Sequence, residues 1–441
     1  MRALHRFSTS ATQSRQRISK QLLCKASPSR NMSSKIVIIG AGFAGVWSAL
    51  SAKRLINCTG KESEVEIIVI APEPVLVMRP RLYESKASSL IHPLETLFRE
   101  AGIRFFPGVV KTVHTERRAV EVRCASGVES TIDYDRLILA AGSSVVRPQG
   151  IAGLRQHAFD IDSLNSAVKL ESHLDGLASL PASPGRDNVV VCGAGFTGIE
   201  LATELPRRLG HIANARVILI GNADEVGPGF GSSPRSTITQ ALKDLGVEVR
   251  LGSGVKAVDP EGVTLTSGER IQTKTAIWTA GVRATPLTQQ IPGPKDALAR
   301  LYVDQYLRVS SVDGVFATGD AACALADGKN QYTLMCCQHA LQLGRVSGYN
   351  AAAELLGERL MGFTQAAYNC CLDLGSWGAL VTAGWARENI KVSGDIAKRV
   401  KCYINQQLIY PPNDAHQALA LADPIGPDSD QLFEHLVRVV G

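Results

Sequence analysis

The fold is decided by the stretch Lys35-Ile-Val-Ile-Ile-Gly40-Ala-Gly42-Phe-Ala-Gly45-Val-Trp-Ser-Ala-Leu50. The apolar run before Gly40 is typical of a parallel strand buried on both faces, and a helical pattern starts directly behind Gly45. Glycines at G-x-G-x-x-G spacing allow a tight turn, close approach of a pyrophosphate and close packing of helix on strand. The first turn of the helix then presents free N–H groups to the phosphates. The stretch therefore predicts a dinucleotide-binding unit.

The same pattern recurs between Asn188 and Leu205, where an apolar run leads to Gly193, Gly195 and Gly198. The alternative for either copy is a tight strand–helix turn that binds nothing. Both copies, however, have the flanking strand and helix that the motif requires. Two such units predict two dinucleotide sites in one chain.

Each half also contains an apolar strand that stops at small residues, Ala-Ala-Gly142 in the first and Thr-Ala-Gly281 in the second. Small residues at such a stop let the backbone lie close to a ligand. A further strand, predicted over Leu301–Val309, is followed by an apolar run into Gly319-Asp320. Asp320 can accept hydrogen bonds from the hydroxyls of a cofactor. Its alternative role is to cap the N-terminus of a helix.

The acids that usually bind the ribose are displaced. Glu73 follows the second strand of the first unit two residues late, and the second unit has Gly221 at the expected position, with Asp224 and Glu225 beyond it. An acid at the end of this strand binds the ribose hydroxyls of NADH. The sequence leaves NADH and NADPH open and favours NADH.

The net charge of +6 comes from the leader. Residues 1–34 contain no acid, and their basic residues are Arg2, Arg6, Arg15, Arg17, Lys20, Lys25 and Arg30. The rest of the chain is close to neutral, which argues against a nucleic-acid partner. The leader is typical of a mitochondrial transit peptide, and the alternative is a tail without an address. Initiation at Met32 would give a cytosolic form.

The cysteines and the apolar runs of the sequence bear on its redox state and on membrane insertion. The ten cysteines lack C-x-x-C spacing, which predicts reduced thiols. The sequence has no apolar run long enough to predict a transmembrane helix.

A helix is predicted from Met335 to Leu356, with Gln338 and Gln342 on one face. His339 has the chemistry of a base, but a lone histidine on a helix is more often packed or solvated. Two apolar stripes follow, for which core or dimer packing is the default and membrane-surface contact the alternative. One consists of Ile396, Val400, Ile404 and Leu408 on a helix predicted over residues 392–408, and the other of Leu432, Phe433, Leu436, Val437 and Val440.

The order of these motifs resembles that of the two-dinucleotide flavoproteins of the pyridine nucleotide-disulfide oxidoreductase superfamily. Within it, the chain is similar to the type II NADH dehydrogenases, the NADH:quinone oxidoreductases that do not pump protons. The resemblance implies an α/β fold of two Rossmann-like domains, one for FAD and one for NADH or NADPH, with a small C-terminal α+β region. The implied organisation is a leader (1–34), an FAD-binding domain in two parts (35–160 and 296–362), an NAD(P)H-binding domain (161–295) and a C-terminal region for membrane-surface or dimer contact (363–441).

The motifs and the resemblance together predict the site residues. Catalytic roles fall to Glu200, just after the second glycine loop, and to Gln338 and Gln342, in a segment similar to the family's Ala-Gln-x-Ala-x-Gln. No metal site is predicted. The predicted cofactor-binding residues are Gly40, Gly42, Phe43, Ala44, Gly45, Glu73, Arg81, Gly142, Gly193, Gly195, Thr197, Gly198, Gly281, Gly319, Asp320, Gln338 and His339.

The resemblance implies that a hydride passes from NAD(P)H to the flavin and that electrons then pass to a quinone-type acceptor. This chain has Cys337 where the family has Ala, and it lacks the redox-active cysteine pair of the disulfide reductases, which argues against dithiol substrates. Two alternatives stay open. One is a soluble flavin oxidoreductase that acts on a small metabolite or protein, and the other is a redox-signalling flavoprotein like apoptosis-inducing factor.

Overall fold

The computed structural model describes residues 33–441, so the predicted leader lies outside the described residues except at its last two positions. The helices of the described part, numbered in chain order, are α1 (Phe43–Thr59), α2 (Glu95–Ala101), α3 (Leu154–His157), α4 (Leu164–Gly176), α5 (Pro184–Asp187), α6 (Phe196–Arg208), α7 (Ser232–Asp244), α8 (Cys337–Leu356), α9 (Asp395–Tyr403), α10 (Ala415–Leu421) and α11 (Ser429–Val440).

The strands are numbered in the same way. The first ten are β1 (Ser34–Ile39), β2 (Val65–Ala71), β3 (Val75–Val77), β4 (Ile91–Pro93), β5 (Arg104–Pro107), β6 (Val109–His114), β7 (Ala119–Arg123), β8 (Glu129–Asp133), β9 (Arg136–Leu139) and β10 (Ser143–Val145). Next come β11 (Ala158–Phe159), β12 (Asn188–Cys192), β13 (Arg216–Ile220), β14 (Glu248–Arg250), β15 (Val255–Asp259), β16 (Gly262–Leu265), β17 (Arg270–Gln272), β18 (Thr275–Trp278) and β19 (Val282–Ala284). The last are β20 (Leu301–Tyr302), β21 (Val315–Ala317), β22 (Ala322–Cys323), β23 (Asn369–Asp373), β24 (Ala379–Ala383) and β25 (Asn389–Gly394).

The first glycine loop follows the middle strand of a parallel sheet with the order β21-β9-β1-β2-β5. The residues Ile36, Val37 and Ile38 of β1 have no exposed surface, as expected for a strand covered on both faces. Because these strands are parallel, their carboxyl ends lie at one edge of the sheet. That edge carries Gly40 after β1, Gly142 after β9 and Gly319 after β21.

The second glycine loop lies in a sheet built to the same plan, with the order β11-β18-β12-β13-β14. Gly193 follows β12, and the small-residue stop at Gly281 follows β18. The two parallel sheets confirm the predicted α/β class of two Rossmann-like units.

An antiparallel ribbon joins the two units directly behind their small-residue stops. β10, which follows Gly142, pairs with β19, which follows Gly281. Thr285 N donates to the carbonyl of Gly142 at 2.9 Å, and Val146 N donates to the carbonyl of Gly281 at 3.0 Å. The two carboxyl edges are therefore fixed relative to each other by backbone hydrogen bonds.

Two sequence predictions of secondary structure were wrong in part. The strand predicted over Leu301–Val309 ends at Tyr302, because the carboxylate of Asp304 accepts hydrogen bonds from the N–H groups of Tyr306 and Arg308 and closes a turn. The helix predicted over residues 392–408 begins only at Asp395, since the preceding residues are paired in β25 and Gly394 has φ +73°.

The C-terminal region packs α9 and α11 on the antiparallel sheet β23-β24-β25. The two apolar stripes contribute Val400 and Leu436 to one buried cluster, while Ile396 stays 41% exposed. Packing within the chain thus accounts for most of both stripes, and membrane-surface contact stays a prediction. Among residues 33–441, no helix combines the length and apolar character needed to cross a bilayer.

The helices α8 and α1 approach each other closely through two glycines of α8. A Cβ atom on Gly348 would lie 2.0 Å from the carbonyl oxygen of Ser48, and one on Gly344 would lie 2.5 Å from that of Ala44. Glycines at these positions let α8 lie directly on α1, beside the first glycine loop.

We expect Gly348→Ala to destabilise the protein by about 1–3 kcal/mol, because the added methyl group overpacks a backbone contact that cannot relax freely. The control is Gly176→Ala at the end of α4, where a Cβ atom meets nothing within 4 Å, so its effect should be neutral or slightly stabilising. Urea denaturation measures both. Equal midpoints for the two variants would contradict the packing account.

Candidate active site

The first glycine loop forms a cradle with an open middle. A Cβ atom on Gly45 would lie 1.9 Å from the carbonyl oxygen of Gly40, so α1 begins in contact with the turn. Gly40 itself has φ +110° and approaches the backbone of Ala140 at the end of the neighbouring strand. Gly42 is exposed and has no atom within 4 Å of its Cβ direction. Only the middle glycine therefore faces free space, as a loop that receives a pyrophosphate requires.

The second loop repeats this geometry residue by residue. Gly193 has φ +131°, a Cβ atom on Gly198 would lie 1.7 Å from the carbonyl oxygen of Gly193, and Gly195 is exposed with nothing within 4 Å. Thr197 is exposed in the first turn of α6. Both loops therefore leave the space at the middle glycine that a dinucleotide phosphate requires.

A polar cluster lies at the ribbon that joins the two units. Ser143 Oγ donates to Asp320 Oδ2 at 2.7 Å, and Arg79 Nη1 lies 2.9 Å from Ser143 Oγ and 3.5 Å from Asp320 Oδ2. Arg79 also pairs with Asp162, which accepts a hydrogen bond from Val145 N at 2.9 Å. Asp320 is thus held at the carboxyl edge of the first sheet, beside the open cradle.

Asp320 does not cap a helix. It lies in a single 3₁₀ turn, Gly319–Ala321, which leads into β22, and the residue at the cap position of that turn is Thr318. The capping role weighed from the sequence is therefore wrong. Ala44 and Ala340 lie against Gly319, so the first turns of α1 and α8 meet at this edge.

Glu200 is buried in α6 and forms an ion pair with a lysine of the C-terminal region. Glu200 Oε1 lies 2.8 Å from Lys401 Nζ and accepts a hydrogen bond from Asp373 N at 3.0 Å. The Asp373 carboxylate pairs with Lys398 and accepts from Tyr83 Oη at 3.0 Å. Two acids and two lysines, from α6, β23 and α9, thus form one network.

Burial raises the pKa of Glu200 to about 7, against the opposing effect of the Lys401 cation. Burial alone disfavours the Lys401 ammonium, but the neighbouring Glu200 carboxylate holds the pKa of Lys401 above its usual value. The lysine therefore stays charged while the Glu200 carboxyl can take up and release a proton near neutral pH. Those are the properties of a proton relay in a buried site.

The two predicted glutamines project together from the start of α8. Gln338 Nε2 donates to Ser429 Oγ at 3.0 Å, and Gln342 Nε2 donates to the carbonyl of Pro424 at 2.6 Å. Both amides therefore contact the chain that connects α10 to α11.

Residues 34–344 match the family of pyridine nucleotide-disulphide oxidoreductases. The chain belongs to this family. It is 42% identical to an NADH dehydrogenase-like protein of Mycobacterium tuberculosis, over 88% of this chain and 97% of the relative. It is 28% identical to the type II NADH:quinone oxidoreductase of Staphylococcus haemolyticus, over 70% of this chain and 80% of that one.

Solved structures agree with this family fold. The NDH2 of Plasmodium falciparum in complex with NADH has a TM-score of 0.71 at 15% identity, over 88% of this chain and 97% of the other. The sulfide:quinone oxidoreductase of Aquifex aeolicus has a TM-score of 0.69 at 14% identity, over 91% and 95%. Membership of the family makes the chain a flavoprotein oxidoreductase, and its cofactors are FAD and a nicotinamide nucleotide, as the sequence predicted.

Other predicted family site residues are spread more widely. Phe43 is buried in the first turn of α1, and Glu73 is exposed just beyond β2, at the same edge as Gly40. Arg81 pairs with Glu84 at 2.8 Å and donates to Tyr410 Oη at 2.9 Å. The structure thus brings Arg79, rather than Arg81, to the Asp320 cluster.

His339 is fully buried and packs against the rings of Tyr368 and Trp385, with centroid distances of 5.3 and 5.4 Å. Its Nδ1 lies 3.0 Å from Gln365 Oε1, and burial lowers the pKa of His339 to about 4. A neutral, enclosed imidazole agrees with the packed alternative that the sequence favoured. Its predicted role as a cofactor contact stays a prediction.

Three residues of these clusters, Arg79, Asp373 and Lys401, are not predicted as site residues from the sequence. Arg79 had a signal, because it belongs to the same Arg-Pro-Arg segment as Arg81. Lys401 and Asp373 had no signal in the sequence, because a lysine beside an apolar stripe is normally solvated. Only the fold brings both residues to Glu200.

Alanine substitutions at Gly198 and Gly195 of the second loop should affect different properties, stability in the first case and NADH binding in the second. Gly198→Ala places a methyl group against the carbonyl of Gly193, so we expect a loss of about 1–3 kcal/mol of stability. Gly195→Ala places it in free space, so the protein should keep its melting temperature and bind NADH more weakly.

Thermal denaturation and NADH titration of the two variants separate these effects. A Gly195→Ala variant that binds NADH as well as the wild type would contradict the assignment of this cradle.

Proposed function

We propose that this flavoprotein is an NADH:quinone oxidoreductase that does not move protons across a membrane. The main support for the proposal is the ribbon of β10 and β19, which joins the carboxyl edges of the two parallel sheets, where the two open glycine loops lie. The Staphylococcus haemolyticus relative, a type II NADH:quinone oxidoreductase by name, supports the choice of a quinone.

The overall reaction is NADH + H⁺ + quinone → NAD⁺ + quinol, in which two electrons leave the nicotinamide and reach the quinone. When bound, FAD supplies the centre that accepts the hydride and passes on the electrons. The first cradle would hold FAD through the N–H groups behind Gly42, with Asp320 accepting from its hydroxyls. The second cradle would hold the nicotinamide nucleotide through Gly195 and Thr197.

The side chains of the protein orient groups and move protons. Glu200 would hold a proton at its carboxylate, while Lys401 keeps the carboxylate in place through the 2.8 Å contact. Gln338 and Gln342 would orient the acceptor through their amides. The proton consumed in the reaction would pass through Glu200, whose pKa is raised to about 7.

We propose NADH rather than NADPH as the donor. Beyond β13, Glu225 pairs with Arg235 at 2.9 Å, which neutralises the arginine that could otherwise attract a 2′-phosphate. Mitochondrial location, peripheral membrane contact and a homodimer are further proposals. They rest on the leader composition and the apolar stripes of the sequence.

The test is anaerobic reduction of the flavoprotein with NADH, followed by mixing with a short-chain quinone, ferricyanide or oxygen. Fast reoxidation by the quinone supports the proposal. Reoxidation only by ferricyanide, a protein acceptor or oxygen favours the soluble oxidoreductase, and a long-lived reduced complex favours the signalling flavoprotein.

The pH dependence of reoxidation should report on Glu200. Since burial raises its pKa to about 7, the carboxyl is protonated below that pH and can donate, so the rate should fall as the pH rises above about 7. Glu200→Gln should remove this pH dependence between pH 6 and pH 8 and slow reoxidation by roughly 10²-fold.

The control is Glu204→Gln, one helical turn further along α6, where the carboxylate pairs with Arg207. That variant should retain the pH profile of the wild type. A profile that survives in Glu200→Gln would rule Glu200 out as the relay.

A further inference from the structure

The connection between α10 and α11, residues 422–428, and Ser429, the first residue of α11, lie across the two glutamines of α8. We call residues 422–429 the C-terminal strap. Gln342 donates to the carbonyl of Pro424 at 2.6 Å, and Gln338 donates to Ser429 Oγ at 3.0 Å. Between these contacts, a Cβ atom on Gly426 would lie 2.1 Å from Gln342 Oε1. Glycine therefore allows the strap to cross directly on the Gln342 side chain.

The strap covers the face of α8 that points away from the first cradle. Ala340 and Gly344 of α8 lie against Gly319 and Ala44 at the cradle. Residues two positions along a helix point to opposite sides, so Gln338 and Gln342 face away from α1. An acceptor that approaches on the glutamine side meets the strap first.

The strap is held at its ends by polar contacts. Asp423 pairs with Arg54 at 2.6 Å at one end. At the other end, Asn369 Nδ2 donates to the carbonyl of Ser429 at 2.9 Å, and Asp430, the next residue, pairs with Lys391. Ala422 and Pro424 are also buried and fix the start of the strap, whereas Ile425 beyond them is 74% exposed, so its apolar side chain does not anchor the middle.

These contacts are of a kind that opens readily. Arg54 and Asp423 are both partly exposed, and ion pairs of this type contribute little because water competes for each partner. The two glutamine contacts are neutral hydrogen bonds, which exchange for similar bonds to water or to a ligand. Opening the strap would free both amide groups together.

We propose that the C-terminal strap is the gate of the acceptor site. In the closed form its backbone and Ser429 occupy the hydrogen-bonding groups of Gln338 and Gln342. In the open form the same amides donate to the carbonyl oxygens of a quinone ring. This inference rests on the proposed function and adds how the acceptor is admitted.

Two variants should open the gate without touching the glutamines. Asp423→Asn removes the Arg54 ion pair at one end, and Asp430→Asn removes the Lys391 ion pair at the other. The control is Asp313→Asn, at an exposed aspartate just before β21. None of these residues belongs to the cofactor or acceptor machinery described above.

The first readout is hydrogen exchange of the holoenzyme, followed by mass spectrometry. Peptides that cover residues 422–428 should exchange faster than in the wild type in both opening variants. In Asp313→Asn their exchange rate should equal that of the wild type. Addition of decylubiquinone to the wild type should also speed exchange in the strap. Unchanged or slower exchange of the strap on adding the quinone would overturn the gate.

The second readout is stopped-flow reoxidation of the NADH-reduced enzyme. We expect both opening variants to raise kcat/KM for decylubiquinone by roughly twofold to fivefold, the factor that corresponds to the loss of one weak surface contact. The rates of flavin reduction by NADH and of reoxidation by ferricyanide should stay as in the wild type.

The outcomes separate the gate from the function. Equal kcat/KM for the wild type and both variants with decylubiquinone overturns the gate and leaves the quinone reductase in place. If neither short-chain nor long-chain quinones reoxidise any of the proteins, the proposed function fails and the gate fails with it.

Discussion

The arrangement depends on one constraint, the antiparallel pairing of the short strands that leave the two glycine stops. β10 and β19 start directly behind Gly142 and Gly281, and the carbonyl of each glycine is bound by an N–H group of the other unit. A parallel sheet presents its ligand-binding loops at the carboxyl ends of its strands. Backbone hydrogen bonds join two such edges, so the two glycine loops lie on adjoining edges of the two sheets. This link involves no side chain, and a substitution cannot remove it by deleting one.

A second link is electrostatic and joins the second unit to the C-terminal region. Glu200 and Lys401 are both buried, and Asp373 donates its backbone N–H to the Glu200 carboxylate. Burying charges is costly unless every one is paired and hydrogen-bonded. Such a network is therefore a weak argument for stability and a good one for function, because burial brings the pKa of Glu200 into the neutral range. The C-terminal region thus supplies the partner of a residue in the second glycine unit and, through the strap, covers Gln338 and Gln342.

Much of this could be predicted from the sequence, since the glycine spacing and the apolar strands are local signals. The loops around Gly42 and Gly195 and the stops at Gly142 and Gly281 lie where the pattern predicted them. The pattern failed at two local turns and wherever long-range contacts decide. Asp304 ended a predicted strand through a local turn, and Gly394 converted the start of a predicted helix into an edge strand. The positions of Lys401 and the strap depend on residues far apart in the chain, for which a single sequence carries no periodic signal.

In the proposed arrangement, the two cradles hold a nicotinamide ring against a flavin ring. Anaerobic stopped-flow mixing of the FAD-loaded protein with NADH tests it most directly. If the two rings meet, the absorbance of the oxidised flavin disappears in one phase, at least as fast as overall turnover and at a rate that saturates with NADH concentration. A flavin that stays oxidised while NADH is bound would contradict it.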